Sequence, residues 1–217
     1  MRIVVTAGPT REPIDPVRFI SNRSSGKMGY AIAEAAIEAG HDVTLISGPT
    51  CLTSPASARM VAITTSDELY DAVHQHVPGC DLLVMCAAVA DYKPKSAAAR
   101  KAEKHSGEFA LPFVPTRDIL ASLSRENRSY LVVGFAAQTH DLTANAQRKL
   151  LAKNCDVIIA NDVSRADIGM ESDHNAVTIF FRDTEPKTIS RAEKKIVARK
   201  IVKIIFEFCE KRLTKKT

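Results

Sequence analysis

Short apolar runs separated by amphipathic stretches set the rhythm of this chain. Aliphatic and β-branched residues gather at 2 to 6 (RIVVT), 42 to 47 (DVTLIS), 60 to 64 (MVAIT), 81 to 87 (DLLVMCA), 130 to 135 (YLVVGF) and 156 to 161 (DVIIAN). Each run is nearly continuously apolar, as in strands covered on both faces in a parallel sheet. Between most of them, apolar positions recur at helical spacing over 27 to 39, 66 to 76, 116 to 126 and 142 to 153. AVTIFF (176 to 181) and the segment around PKTI (186 to 189) read as a hairpin. Ile196, Val197, Ile201, Ile204, Ile205 and Phe208 then mark the inner face of a last helix. This alternation predicts an α/β fold, Rossmann-like and doubly wound, with a mostly parallel sheet, helices on both faces and a C-terminal hairpin plus helix.

A length of 217 residues with 45% hydrophobic content suits a single domain over 1–217. The net charge of +5 is unevenly placed: residues 191 to 217 carry ten Lys or Arg against three Glu, so the rest is slightly acidic. The basicity therefore reads as the solvated face of the last helix, and neither nucleic acid nor a membrane is expected as a partner. No apolar run reaches the length of a membrane span, and the first strand follows Met1 directly, which predicts a cytoplasmic protein without a signal peptide. The five cysteines are odd in number and lack C-x-x-C spacing, so reduced thiols are expected and no cysteine metal site.

Ligands of doubly wound sheets collect beyond the carboxyl ends of the strands, where helix N-termini offer free N–H groups. The polar clusters fall there: residues 6 to 10 after the first strand, 87 to 104 after the fourth, 134 to 139 after the fifth and Asn161-Asp162 after the sixth. Three familiar motifs fail. A Walker A loop ending at Gly26-Lys27 would need Gly where Ser21 stands and a hydroxyl where Met28 stands. The dinucleotide fingerprint is absent, because Gly8 is followed by Pro9 and Thr10 and the next glycine is Gly26. A dehydrogenase Tyr-x-x-x-Lys pair is absent too, since Tyr30, Tyr70, Tyr92 and Tyr130 are followed four residues on by Glu34, His74, Ser96 and Gly134.

What remains is anion chemistry. SSGKMG at the start of the first helix lets backbone N–H groups approach an oxyanion, or is an ordinary helix start capped by Ser24 or Ser25. Asn22 ends an insertion stiffened by Pro13 and Pro16, and its amide can donate to a developing oxyanion or simply form a turn. The small residues of CAAVADYKPK (86 to 95) allow a flat base to lie on the backbone, with Asp91 for ribose hydroxyls, or they serve tight packing. Arg100, Lys101 and Lys104 read as a cationic flap or a solvated charge run. Lys149 and Lys153 lie four apart on one helix face.

Taken together, VTAGPTREPIDPVRFISNRSSGKMG (5 to 29), CAAVADY (86 to 92), VVGFAA (132 to 137) and KNCDVIIAND (153 to 162) closely resemble the phosphopantothenate-cysteine ligases of coenzyme A biosynthesis, over nearly the whole chain. The resemblance implies a homodimer that joins 4'-phosphopantothenate to L-cysteine through an acyl-nucleotidylate, with CTP favoured over ATP and Mg2+ on the phosphates. It makes Asn22 and Lys101 catalytic and assigns substrate binding to Arg18, Asn22 and Ala88. For the nucleotide it implies Gly8, Ser24, Ser25, Gly26, Cys86, Ala87, Asp91, Lys101, Arg117, Asp118, Ile119, Leu120, Phe135, Lys149 and Lys153, and it implies no protein metal ligands. Since some relatives carry a flavin decarboxylase domain ahead of this unit, decarboxylation is expected from a separate polypeptide. The family's K-x-K-K pattern stands here as Lys101-Ala102-Glu103-Lys104, its usual Pro is Arg117, and its usual Glu is Gln138. An ATP-dependent ligase, a nicotinamide-binding reductase and a catalytically silent binding module are the competing readings.

Overall fold

A computed structural model of the chain describes residues 1–101, 103–104, 106–123, 128–138, 141–164 and 167–213. Its elements run β1 (Arg2–Ala7), β2 (Arg11–Pro13), β3 (Phe19–Ser21), α1 (Lys27–Glu38), β4 (Asp42–Ser47), β5 (Arg59–Ala62), α2 (Ser66–His76), β6 (Leu82–Met85), β7 (Tyr92–Pro94) and β8 (Phe113–Pro115). They continue as α3 (Ile119–Ser122), β9 (Leu131–Gln138), α4 (Leu142–Ala152), β10 (Val157–Asp162), β11 (His174–Phe181), β12 (Lys187–Glu193) and α5 (Lys194–Leu213). Eight strands form one sheet in the order β12-β11-β10-β9-β6-β1-β4-β5, parallel from β10 to β5, with the β11–β12 hairpin added antiparallel at one edge. The predicted doubly wound sheet and C-terminal hairpin plus helix are therefore present.

Alternation along each strand divides the apolar side chains between two cores. On one face Ile3, Val5, Leu45, Val84, Val133 and Ile159 pack with α1 and α5. On the other, Val4, Ile46, Leu83, Val132 and Ile158 pack with α2, α3 and α4. A buried ion pair braces the sheet: Arg128 Nη2 donates to Asp156 Oδ2 at 2.7 Å, with the side chains 4% and 3% exposed. The same oxygen accepts the Val132 N–H at 2.9 Å, and Oδ1 accepts from Arg212 Nη1 at 2.9 Å.

Several expected boundaries move. The helix predicted over 116 to 126 is the single turn α3: Asp118 caps it by accepting the Ala121 N–H at 3.0 Å, and Leu123 ends it in an extended conformation, 3% exposed. Residues 124 to 126 of that prediction lie outside the described residues, as do Thr139, Ala102 and 214 to 217. The stretch read as loop after the fourth strand contains β7, paired antiparallel with β8, and the insertion after β1 contains the β2–β3 hairpin. Within α5, Ile196 is exposed; the buried stripe is Val197, Ala198, Ile201, Val202, Ile205 and Cys209, and Ile196 falls outside it because one residue is a rotation of about 100°. Cys51 is exposed and Cys86 partly so, and none of the five cysteines is in a disulfide.

Candidate functional site

β1 is flanked by β4 on one side and β6 on the other, so the winding of the sheet reverses beside it, and its carboxyl end is where a ligand crevice is expected. A cavity of about 540 Å³ opens there. The loops after β1 and β6 are zipped together around it. The Gly8 carbonyl accepts the Ala88 N–H at 2.9 Å, and the Ala88 carbonyl accepts the Thr10 N–H at 3.1 Å. Two buried hydroxyls complete the work: Thr6 Oγ1 accepts the N–H groups of Cys86 and Ala87, both at 3.1 Å, and Thr10 Oγ1 accepts that of Ala90 at 3.0 Å. The N–H groups of Cys86, Ala87, Ala88 and Ala90 are thus all bonded as the chain leaves the sheet, and the segment forms a fixed cavity wall.

The opposite wall is the start of α1. Gly26 precedes the helix at φ 78°, a conformation that favours glycine, and no side chain among the described residues caps the first turn. Neither serine acts as the expected cap: Ser24 Oγ accepts the Gly26 N–H at 3.3 Å, and Ser25 Oγ donates to the Met170 carbonyl at 3.0 Å. The helix start is thereby left for an anion. Gly29 lets α1 sit directly on β1, since a Cβ there would stand 2.6 Å from the Ala7 Cβ.

Of the residues singled out in the sequence, Asn22, Ser24, Ser25, Gly26, Cys86, Ala87, Ala88, Asp91, Arg117, Asp118, Ile119, Leu120, Phe135, Lys149 and Lys153 line the cavity. Asn22 Nδ2 donates to the Ala88 carbonyl at 3.0 Å. Lys149 Nζ donates to the Phe135 carbonyl at 2.6 Å, and Lys153 is ion-paired with Asp118. Burial alone would raise the Asp118 carboxyl, but Lys153 and the Ala121 N–H outweigh it and hold it below the ordinary value. Arg117 reaches the cavity, yet its guanidinium bonds Asp67 and Asp71 on α2, each at 3.0 Å, and stacks on Tyr70.

Gly8, Arg18 and Lys101 are not brought to the lining. Gly8, at φ 72°, supports the Ala88 loop from behind, where a Cβ would meet the Gly48 carbonyl oxygen at 2.9 Å. Arg18 is bonded to Asp15 within the insertion, through Nε at 2.9 Å and Nη2 at 2.5 Å. Lys101 is exposed, on the segment beyond β7. Thr6, Thr10, Lys27 and Asn161 fell within polar clusters the sequence had placed at the strand ends or the first helix start but were given no role of their own, while Asn175 and Lys194 were missed; all but the two threonines line the cavity. Lys194 was hidden in the basic run assigned to a solvated face, whereas it is 6% exposed.

Burial pushes the Cys86 thiol up to about 12, against the pull of Lys194, so it stays protonated and unreactive near neutrality although part of the residue is exposed at the cavity wall. Burial, helped by Lys153, lowers the Lys149 ammonium below its ordinary 10.5, while Cys155, Asp91 and Asp118 pull it back. An anion needs the charged form. Affinity for pyrophosphate should therefore fall as pH rises through the lowered Lys149 value, before an ordinary lysine would titrate. Calorimetric titrations in alkaline steps check this, and a profile flat past 10.5 refutes it. Stability moves oppositely: the folded chain holds the charged group at a cost below its own pKa, and that cost is relieved as pH rises from there to the unfolded value.

Fold and site together define a doubly wound α/β protein with a cavity at its switch point, lined by lysines and the start of α1. Residues 1–208 match the DNA/pantothenate metabolism flavoprotein C-terminal domain, and the chain belongs to that family. The coenzyme A biosynthesis bifunctional protein CoaBC of Vibrio vulnificus is 44% identical over 207 residues, covering 94% of this chain and 51% of that protein. This chain thus spans about half the length of such relatives. A crystal structure of the C-terminal domain of a CoaBC protein superposes with a TM-score of 0.82 at 41% identity, covering 97% of this chain and 96% of that one. A Cab2 mutant in complex with phosphopantothenate-cysteine shares the fold at 16% identity and a TM-score of 0.76, covering 100% of this chain and 89% of that one.

Proposed function

We propose that this chain is a cytoplasmic phosphopantothenate-cysteine ligase. The carboxylate of 4'-phosphopantothenate attacks the α-phosphate of CTP, expelling pyrophosphate and giving an acyl-cytidylate. The cysteine amine then attacks the acyl carbon, and CMP leaves. The observation that carries this reading is the position of Asn22. Its amide has two donors, and one is spent on the Ala88 carbonyl at 3.0 Å, which fixes the group at the cavity wall. The other is available to the acyl oxygen as negative charge develops there. Membership in a pantothenate-metabolism family supports the substrate class.

Around that amide, the uncapped start of α1, Lys149 and Lys153 supply positive potential for phosphate groups, and the Ala87–Ala88 backbone with Asp91 offers a platform for base and ribose. Mg2+ is proposed as a companion of the triphosphate, on the family resemblance. When bound it neutralises phosphate charge. Preference for CTP over ATP rests on the family resemblance.

The ligase is also proposed to be a homodimer, which is where Arg18 and Lys101 find their roles. Val17 and Phe19, at the β2–β3 hairpin, and Tyr92 and Phe113, on β7 and β8, are exposed apolar side chains suited to a second copy. Such pairing would place Arg18 near the substrate and lets Lys101 of either copy serve the phosphates.

Incubating the chain with phosphopantothenate, cysteine, Mg2+ and CTP should release pyrophosphate, with ATP a poorer substrate and sedimentation at twice the chain mass. No pyrophosphate with either nucleotide, or a hydride absorbance change with a nicotinamide cofactor instead, would sink the reading.

A further inference from the structure

We propose that Lys194, the first residue of α5, is a ligand-binding residue: its buried ammonium is the built-in counter-charge for an anionic oxygen of the bound substrate or nucleotide. This deepens the ligase reading and rests on it. Lys194 is 6% exposed and lines the cavity. Its Nζ donates to the Met170 carbonyl at 3.0 Å and to the Gly169 carbonyl at 3.4 Å. An ammonium has three N–H donors, and the third has no acceptor among the described residues. Nor does any carboxylate among them stand within ion-pair distance. Asp173, whose carbonyl accepts the Lys194 backbone N–H at 2.8 Å, spends its own carboxylate on Lys27 at 2.6 Å.

A buried cation without a counter-ion is expensive, and holding a loop does not require one. The Met170 carbonyl already accepts from Ser25 Oγ at 3.0 Å, so the segment it belongs to is stitched to the start of α1 by a neutral hydroxyl. Lys27 ties the same segment from the other side through the Glu171 carbonyl at 3.3 Å. A charge added to a contact already made needs another partner, and Lys194 lines the cavity from which one can come. Burial, with help from Lys27, lowers its pKa below the ordinary lysine value against the pull of Cys86 and Asp173, as expected for an ammonium awaiting an anion.

The chemistry that fits is a phosphate or carboxylate oxygen placed between Lys194 and the uncapped first turn of α1. It can come from the nucleoside triphosphate or from the phosphorylated acid. Calorimetric titration of the full chain with magnesium CTP, and separately with phosphopantothenate, distinguishes the sources. Lys194→Met keeps the apolar stem and should weaken one of the two ligands about tenfold or more, the loss expected for one charge-assisted hydrogen bond. The ligand that weakens identifies the source. Lys194→Arg should keep most of that affinity, and the unliganded Met variant should melt no lower than the wild type.

Should the Met variant not fold, Lys194→Gln, which keeps a neutral donor, must show the same loss. Wild-type affinity for both ligands in the Met or Gln variant overturns the role of Lys194 and leaves the ligase reading standing. A wild-type chain that binds neither ligand overturns both.

Discussion

Asn22→Ala is expected to lower ligase turnover about 10²- to 10³-fold, the loss typical of removing one preorganised oxyanion donor. Nucleotide affinity should stay within about threefold, because the donor is spent on the acyl oxygen and not on ground-state phosphates. The fold should be unaffected. The Asn22 side chain is exposed at the cavity wall, and the Ala88 carbonyl it leaves keeps its bond from the Thr10 N–H at 3.1 Å. Single-turnover measurement of pyrophosphate release, beside a calorimetric nucleotide titration, separates the two effects. Equal loss in both would make Asn22 a binding residue. Unchanged turnover would remove it from the mechanism.

Asp156→Ala should cost about 3–5 kcal/mol of stability, the usual penalty for leaving a buried charge without its partner. Arg128 would be stranded at 4% exposure, the Val132 N–H would lose its acceptor and Arg212 its contact with the sheet. For a chain of this size that corresponds to a fall in melting temperature on the order of 10 °C. Adding Arg128→Met to the same chain should recover part of it, since the stranded charge goes as well. A double variant no more stable than Asp156→Ala would show that the cost comes from the lost backbone acceptor instead.

The strands and long helices were legible because each is a local pattern. α2 occupies Ser66–His76 as read, bounded by the Thr65–Glu68 capping box, and β4 runs over the predicted DVTLIS. The candidate site was legible for a different reason. Asn22, Ala87, Ala88, Asp91, Lys149 and Lys153 sit in motifs whose resemblance to a ligase family named them together, and the cavity gathers all of them. What failed was whatever depended on distant partners. Ser25, read as one possible helix cap, bonds the Met170 carbonyl instead, and Arg117 lines the cavity but spends its charge on α2.

From the chain of letters alone came the alternation of strand and helix and the family motifs, since these follow from spacing and residue type. Tertiary structure decided where the charges act. It drew Lys194 out of a basic run and into the cavity, turned Arg117 toward two aspartates, and held Asn22 against Ala88. The reason is physical: a side chain's charge is written in its residue, but the dielectric around it and the partner it meets depend on segments distant along the chain, such as Asp67 and Asp71 for Arg117 or the stretch 25 to 27 that meets residues 170 to 173.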